Sequence, residues 1–281
     1  MKRYQNMKKI VAPLGMALLF IATQLIAVFV APPFKEAGFE TFENPDDPLN
    51  IIYIFFVILA FTAVILLIAR YRKDAVKYLI LLLFFISALS IFDAFFYFLN
   101  SSFSSILALA VALGMLVLLI KHPEWYVVDF FGVFLAGGIA ALFAISLSIE
   151  LIVIFLVALA VYDALSVYKT KHMVTLAETL TSSNLPLLLV VPKKASFSYK
   201  KPHSFGGERD AVYMGLGDLI IPGILITFAY LEKGLPGFGV TLLGALVGYV
   251  ILMLLVARGP QPGLPYLNGG AIIAYALVHF L

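Results

Sequence analysis

Residues 51–69 read IIYIFFVILAFTAVILLIA, nineteen positions in which no face is polar. A strand of a membrane barrel would alternate polar and apolar residues over about 10 positions. A helix on the surface of a soluble domain would keep one charged side. A segment apolar on every side fits a helix embedded in lipid, where all backbone polar groups must be satisfied within the segment. The rest of the chain repeats the pattern. Of its 281 residues, 63% are hydrophobic and 12% are charged, against roughly 45–50% and about 25% in a soluble domain. One water-facing core could not hide that excess. At about 20 residues per crossing the length allows up to about a dozen spans, so residues 1–281 read as a single membrane-embedded domain with no room for a separate soluble one.

Apolar runs bounded by charges or turn residues give nine expected helical spans: 10–31, 51–69, 78–99, 103–120, 125–144, 149–168, 212–231, 238–257 and 262–280. The expected fold class is therefore all-α, a polytopic membrane protein with nine transmembrane helices. With the N-terminus placed in the cytoplasm, all but Lys35 and Lys233 of the 19 Lys and Arg fall on the cytoplasmic side, as the positive-inside rule requires. This sets the N-terminus cytoplasmic and the C-terminus outside. A missed or extra span would have reversed every later loop and scrambled the split. The first span follows MKRYQNMKK and reads as an uncleaved signal-anchor, since it is longer than a usual signal peptide core and lacks a small-x-small cleavage site. The outer loop KEAGFETFENPDDP reads as a solvated acidic loop.

The longest stretch between spans is the cytoplasmic loop 169–210. KHMVTLAETL is expected to form a short interfacial helix, LPLLLVVPKK an extended segment fenced by Pro186 and Pro192, and ASFSYKKPHSFGGERD an irregular polar segment. There is no internal repeat and no low-complexity tract.

An ionisable side chain inside the membrane is a functional-site hypothesis by default. Asp93, Asp129, Asp163 and Asp218 qualify. At 1.5 Å per helical residue, Asp163 lies about 9 Å inward from Lys169 and Asp218 about 12 Å inward from Asp210, at one depth on consecutive spans. Asp93 falls near the outer face. Asp129 has the depth of the pair, and its alternative reading is a helix-start acid favoured by the N-terminal dipole. Two facing carboxyls in a low dielectric would share one proton and serve at once as base and acid. That arrangement suits either peptide hydrolysis or a proton or cation relay, and depth alone leaves both open.

The motifs around these acids are more specific. Tyr162-Asp163 stands in AVYDALSVYKTKH, Gly215-Leu216-Gly217-Asp218 in YMGLGDLIIPG, and QPGLPYLNGG opens the last span. A YD motif, a GxGD motif and a P-x-L-P motif, on the sixth, seventh and ninth expected spans, resemble the presenilin and signal peptide peptidase family of GxGD intramembrane aspartyl proteases. The similarity is greatest to archaeal presenilin homologues, single chains of about this length. The resemblance implies an intramembrane-cleaving aspartic endopeptidase in which Asp163 and Asp218 are the catalytic pair. Tyr162, Gly215, Leu216, Gly217, Pro262, Gly263, Leu264 and Pro265 would form the motif and substrate-positioning set. Gly263 stands where the family's P-A-L motif has alanine. The resemblance also implies an archaeal plasma membrane, single-span membrane proteins as substrates, no cofactor and no accessory subunit, and leaves the oligomeric state open. The charge split favours the presenilin orientation over the inverted one of the peptidase branch.

Around the glycines of the GxGD motif, missing Cβ atoms would let backbone or an extended substrate approach closely; ordinary helix packing is the alternative. Gly244 and Gly248, spaced GxxxG, read as packing. With no cysteine, thiol catalysis is excluded. The four histidines lack zinc-ligand spacing, and neither a GxSxG elbow nor a glycine-rich phosphate loop is present. No metal and no nucleic acid are expected. The rival function is a cation leak channel or proton-coupled transporter using the same aspartates.

Overall fold

The computed structural model describes residues 2–71, 73–98, 102–170, 188–193, 197, 211–256 and 259–280. Its helices are α1 (Lys2–Glu36), α2 (Leu49–Tyr71), α3 (Lys73–Phe98), α4 (Ser104–Lys121), α5 (Trp125–Ser146), α6 (Ile149–Leu165), α7 (Leu216–Val256) and α8 (Leu264–His279). A π-helical turn, Ser166–Thr170, extends α6. Two short strands, β1 (Leu188–Pro192) and β2 (Ala211–Gly215), complete the described chain.

Among the described residues six helices are long and apolar enough to cross a membrane, and α2 contributes a shorter apolar stretch at Leu49–Ile65. α7 carries 41 residues, about 62 Å at the helical rise and twice the hydrocarbon thickness. It is broken at Gly234, whose φ of 67° and ψ of −150° lie outside helical space and suit glycine. A Cβ added to Gly237 would fall on the Ala229 carbonyl oxygen. In a straight helix those residues stand about 12 Å apart, so the chain folds back here. α7 is a helical hairpin with arms 216–233 and 235–256.

The second arm packs closely on α8. A Cβ at Gly248 would meet the Tyr266 carbonyl, and one at Gly244 would meet Gly270 and Ala274. The GxxxG pair thus brings two backbones together, as small residues do between membrane helices. Gly248→Val should drive a branched side chain into rigid backbone. A loss of about 1–3 kcal/mol, read as a lower melting temperature in detergent, is expected; an unchanged melting temperature would contradict the close packing. Asn268 Nδ2 donates to the Leu156 carbonyl at 2.9 Å and ties α8 to α6. The Tyr249 hydroxyl donates to the Pro13 carbonyl at 2.7 Å and ties the second arm to α1.

α5 is the most enclosed helix, with α1, α3, α7 and β1 packed around it. Loop 37–48 is fastened at several points. The Thr41 N–H donates to Ser146 Oγ, the Ser148 N–H to the Pro45 carbonyl, and the Leu49 N–H to Asp47 Oδ1 at the head of α2.

The wholly helical expectation needs one correction. β1 and β2 form an antiparallel pair in the register Leu188↔Gly215 to Pro192↔Ala211. Residues 211–215, expected to open the seventh span, are strand, and the helix starts at Leu216. A strand rises about 3.3 Å per residue rather than 1.5 Å, so the helical depth assigned to Asp218 from Asp210 does not apply. The extended reading of LPLLLVVPKK agrees with β1 over its described part. The interfacial helix expected in KHMVTLAETL lies outside the described residues, as does nearly all of ASFSYKKPHSFGGERD.

Candidate active site

Asp163 lies two residues before the end of α6, and Asp218 is the third residue of α7. Both carboxyls thus sit where a helix gives way to other structure. The GxGD motif begins as strand: Gly215 ends β2 opposite Leu188, and Leu216 opens the helix. The Asp218 carboxyl turns back toward the Gly215 backbone N–H.

Residues 259–263 precede α8, which starts at Leu264 with Pro265 in its first turn. The first N–H groups of a helix have no partner within it and carry partial positive charge. One of these donors is used by Asp163, whose Oδ2 accepts the Leu264 N–H at 3.0 Å; the Gly263 backbone also faces this carboxyl. From the other side Asp218 closes on Gly263. A methyl group there would stand 3.0 Å from Asp218 Oδ1 and 3.2 Å from Cγ, so glycine admits the carboxyl to the backbone. The two acids meet over residues 263–264, near enough for their charges to interact. Asp163 is 6% exposed and Asp218 half-buried.

The last span, expected to be helical from 262, becomes helix only at Leu264. Pro262 and Gly263 stand before the helix, but Pro265 belongs to its first turn, where a missing N–H costs no helical bond. The segment places an uncapped helix end against Asp163.

The remaining motif residues divide. Leu216 is buried, and its side chain reaches the space left by Gly132 on α5. Gly217 is exposed, and a Cβ added to it would meet nothing within 4 Å. Among the described residues that leaves an open face beside Asp218, and none of their backbone needs the glycine. Tyr162, next to Asp163 on α6, is 63% exposed, and adjacent helical positions point in different directions. Asp93 lies apart at the end of α3, where its Oδ1 accepts the Ser105 hydroxyl at 3.0 Å.

Several neighbours were not singled out from the sequence. The Tyr168 hydroxyl, in the π-helical turn, donates to Gln261 Oε1 at 2.8 Å, and Tyr266 approaches the same oxygen at 3.4 Å. Gln24 on α1 donates from Nε2 to the Leu219 carbonyl at 3.1 Å, one residue beyond Asp218. A buried glutamine in an apolar span was the available signal. Among the described residues no cluster of three or more His, Asp or Glu could hold a metal ion.

Such an arrangement can hold a proton between two carboxyls, one of them oriented by backbone donors and the other beside an open face. A family profile described as signal-peptide peptidase, presenilin aspartyl protease matches residues 16–281. Two crystal structures of a presenilin family intramembrane aspartate protease, in space groups C222 and P2, are similar to the chain with TM-scores of 0.69 and 0.72. They are 32% and 33% identical to it; the matches cover 94% and 95% of this chain and 95% and 97% of theirs. No curated relative matches. The chain therefore belongs to the presenilin and signal-peptide peptidase family of intramembrane aspartyl proteases, as a multi-pass integral membrane protein with that family's fold.

Proposed function

We propose that this protein is a GxGD-type aspartic endopeptidase that hydrolyses peptide bonds within the membrane-spanning segments of single-span proteins, with Asp163 and Asp218 as its catalytic pair. The observation that carries the reading is the convergence of both carboxyls on residues 263–264. With one proton between them, the ionised carboxyl takes a proton from water, and the water oxygen attacks the scissile carbonyl carbon. The protonated carboxyl donates to the carbonyl oxygen, giving a tetrahedral diol. Collapse of the diol breaks the C–N bond, and a proton passes to the departing amine. The Leu264 N–H keeps Asp163 oriented throughout. A substrate helix must unwind locally, because its carbonyls are otherwise occupied by its own hydrogen bonds. The open face at Gly217 would admit the extended segment beside Asp218.

In this reading the chain crosses the membrane nine times, the two arms of α7 counting separately, with the N-terminus and the 169–210 loop cytoplasmic. Cysteines placed at Lys9, Arg72, Ser198 and Arg258 should label only from the cytoplasmic side, and those at Glu43 and Lys233 only from outside. The native chain has no cysteine to interfere. Labelling at Ser198 from outside would overturn the topology.

Function is tested with the purified single chain in liposomes. Cleavage of a single-span reporter, stopped by an inhibitor that mimics the tetrahedral intermediate, is expected. Cation or proton flux without cleavage would favour the channel or transporter instead.

A further inference from the structure

Among the described residues, Asp129 is the buried intramembrane acid that the proposed chemistry leaves unused. It lies at the start of α5 and is 4% exposed, whereas an acid serving only the helix dipole would sit at the hydrated surface. Its Oδ1 accepts the Val190 N–H at 2.8 Å, and its Oδ2 is buried without a hydrogen-bond partner. A buried carboxyl with a vacant oxygen is a poor choice for stability.

We infer that Asp129 is a positioning residue for the proposed active site: it anchors β1 to α5, and through β1 it fixes the strand that delivers Gly215 and Asp218. This rests on the protease reading above. Val190 pairs with Tyr213 in the strand register, and its N–H points to Asp129, which leaves Leu189 and Val191 to exchange bonds with β2. A two-stranded sheet of five-residue strands is marginal alone, so β2 keeps its place only if β1 is held from its far edge. One turn along α5 from Asp129, Gly132 leaves a space filled by the side chains of Leu189 and Leu216. Positions i and i+3 share a helix face. The same face of α5 therefore grips β1 by a hydrogen bond and seats both β1 and the GxGD motif by contact. Val191 packs on Gly15 of α1 from a second side. Strand β2 then ends at the N–H that meets the Asp218 carboxyl. Loosening the grip displaces Asp218 relative to Asp163, and a misplacement of about 1 Å at reacting groups costs about 10²-fold in rate.

The test compares the purified wild-type chain with Asp129→Ala and Asp129→Asn, using one single-span substrate. It measures kcat and KM, and separately the amide hydrogen exchange of residues 188–193. Asp129→Ala should lower kcat by about 10- to 100-fold with KM changed less than about 3-fold, and exchange in 188–193 should accelerate. Asp129→Asn, whose amide oxygen can accept the same N–H, should recover most of the kcat lost in the alanine variant and restore slow exchange. Equal kcat losses in both variants, or unchanged exchange in Asp129→Ala, would overturn the inference. Should Asp129→Ala fail to fold, Leu189→Ala loosens the same strand through Gly132 and must lower kcat in the same way. A wild-type chain with no cleavage would overturn the protease reading, while the exchange measurement, which needs no turnover, would still decide whether Asp129 holds β1.

Discussion

Asp163→Asn and Asp218→Asn should each lower cleavage by about 10³-fold or more, in the range that loss of a general acid or base costs, while the melting temperature moves little. Stability survives because the asparagine oxygen at 163 can still accept the Leu264 N–H, and because Asp218 is only half-buried. Activity does not survive, because an amide neither takes a proton from water nor passes one to a carbonyl. In the wild type, rate should rise and fall with pH. At low pH both carboxyls are protonated and no base remains; at high pH both are ionised and no acid remains. The two apparent values belong to the pair rather than to either residue. Asp93→Asn should cleave normally, since Asp93 pairs with Ser105 away from the site. An active Asp163→Asn beside an inactive Asp93→Asn would show that the wrong acids had been chosen.

Leu264→Arg should also abolish cleavage, by a different route. The Leu264 N–H belongs to the backbone and would continue to hold Asp163. The new guanidinium, however, would stand beside two carboxyls that must share a single proton. An opposite charge within a few ångströms favours the ionised form of a carboxyl, so the acid partner would be lost, and the bulk would obstruct an extended substrate. The expected pattern is a loss of about 10²-fold or more at an unchanged melting temperature. Normal cleavage by a folded Leu264→Arg chain would reduce Pro262 to Pro265 to a helix boundary with no part in the reaction.

The helical membrane architecture was legible because lipid demands apolarity on every face, a pattern that runs such as 51–69 display without reference to any partner. The acids were legible for the complementary reason that a carboxylate in an apolar run is costly and rare. The strands were less so. In β2, AVYMG runs into LGDLII without a break in apolarity, and a short buried strand cannot be told from helix by periodicity. Only its pairing with β1, far away in sequence, distinguishes the two. Asp129 stayed open between the depth of the pair and a helix-start acid because nothing local announces that Val190 will land on it. The role of Pro265 turned on its place in the helix: within the first turn of α8 a proline is harmless, whereas one turn later it would have broken the helix.

The central claim is that Asp163 and Asp218 together hydrolyse a peptide bond inside a membrane-spanning segment, and mass spectrometry of the products tests it most directly. Purified protein in liposomes, incubated with a single-span substrate, should yield two fragments whose masses sum to that of the substrate plus one water, with the cut inside the apolar segment. Neither fragment should form with Asp163→Asn or Asp218→Asn. Intact substrate with the wild-type chain, or the same fragments from both variants, would contradict the account.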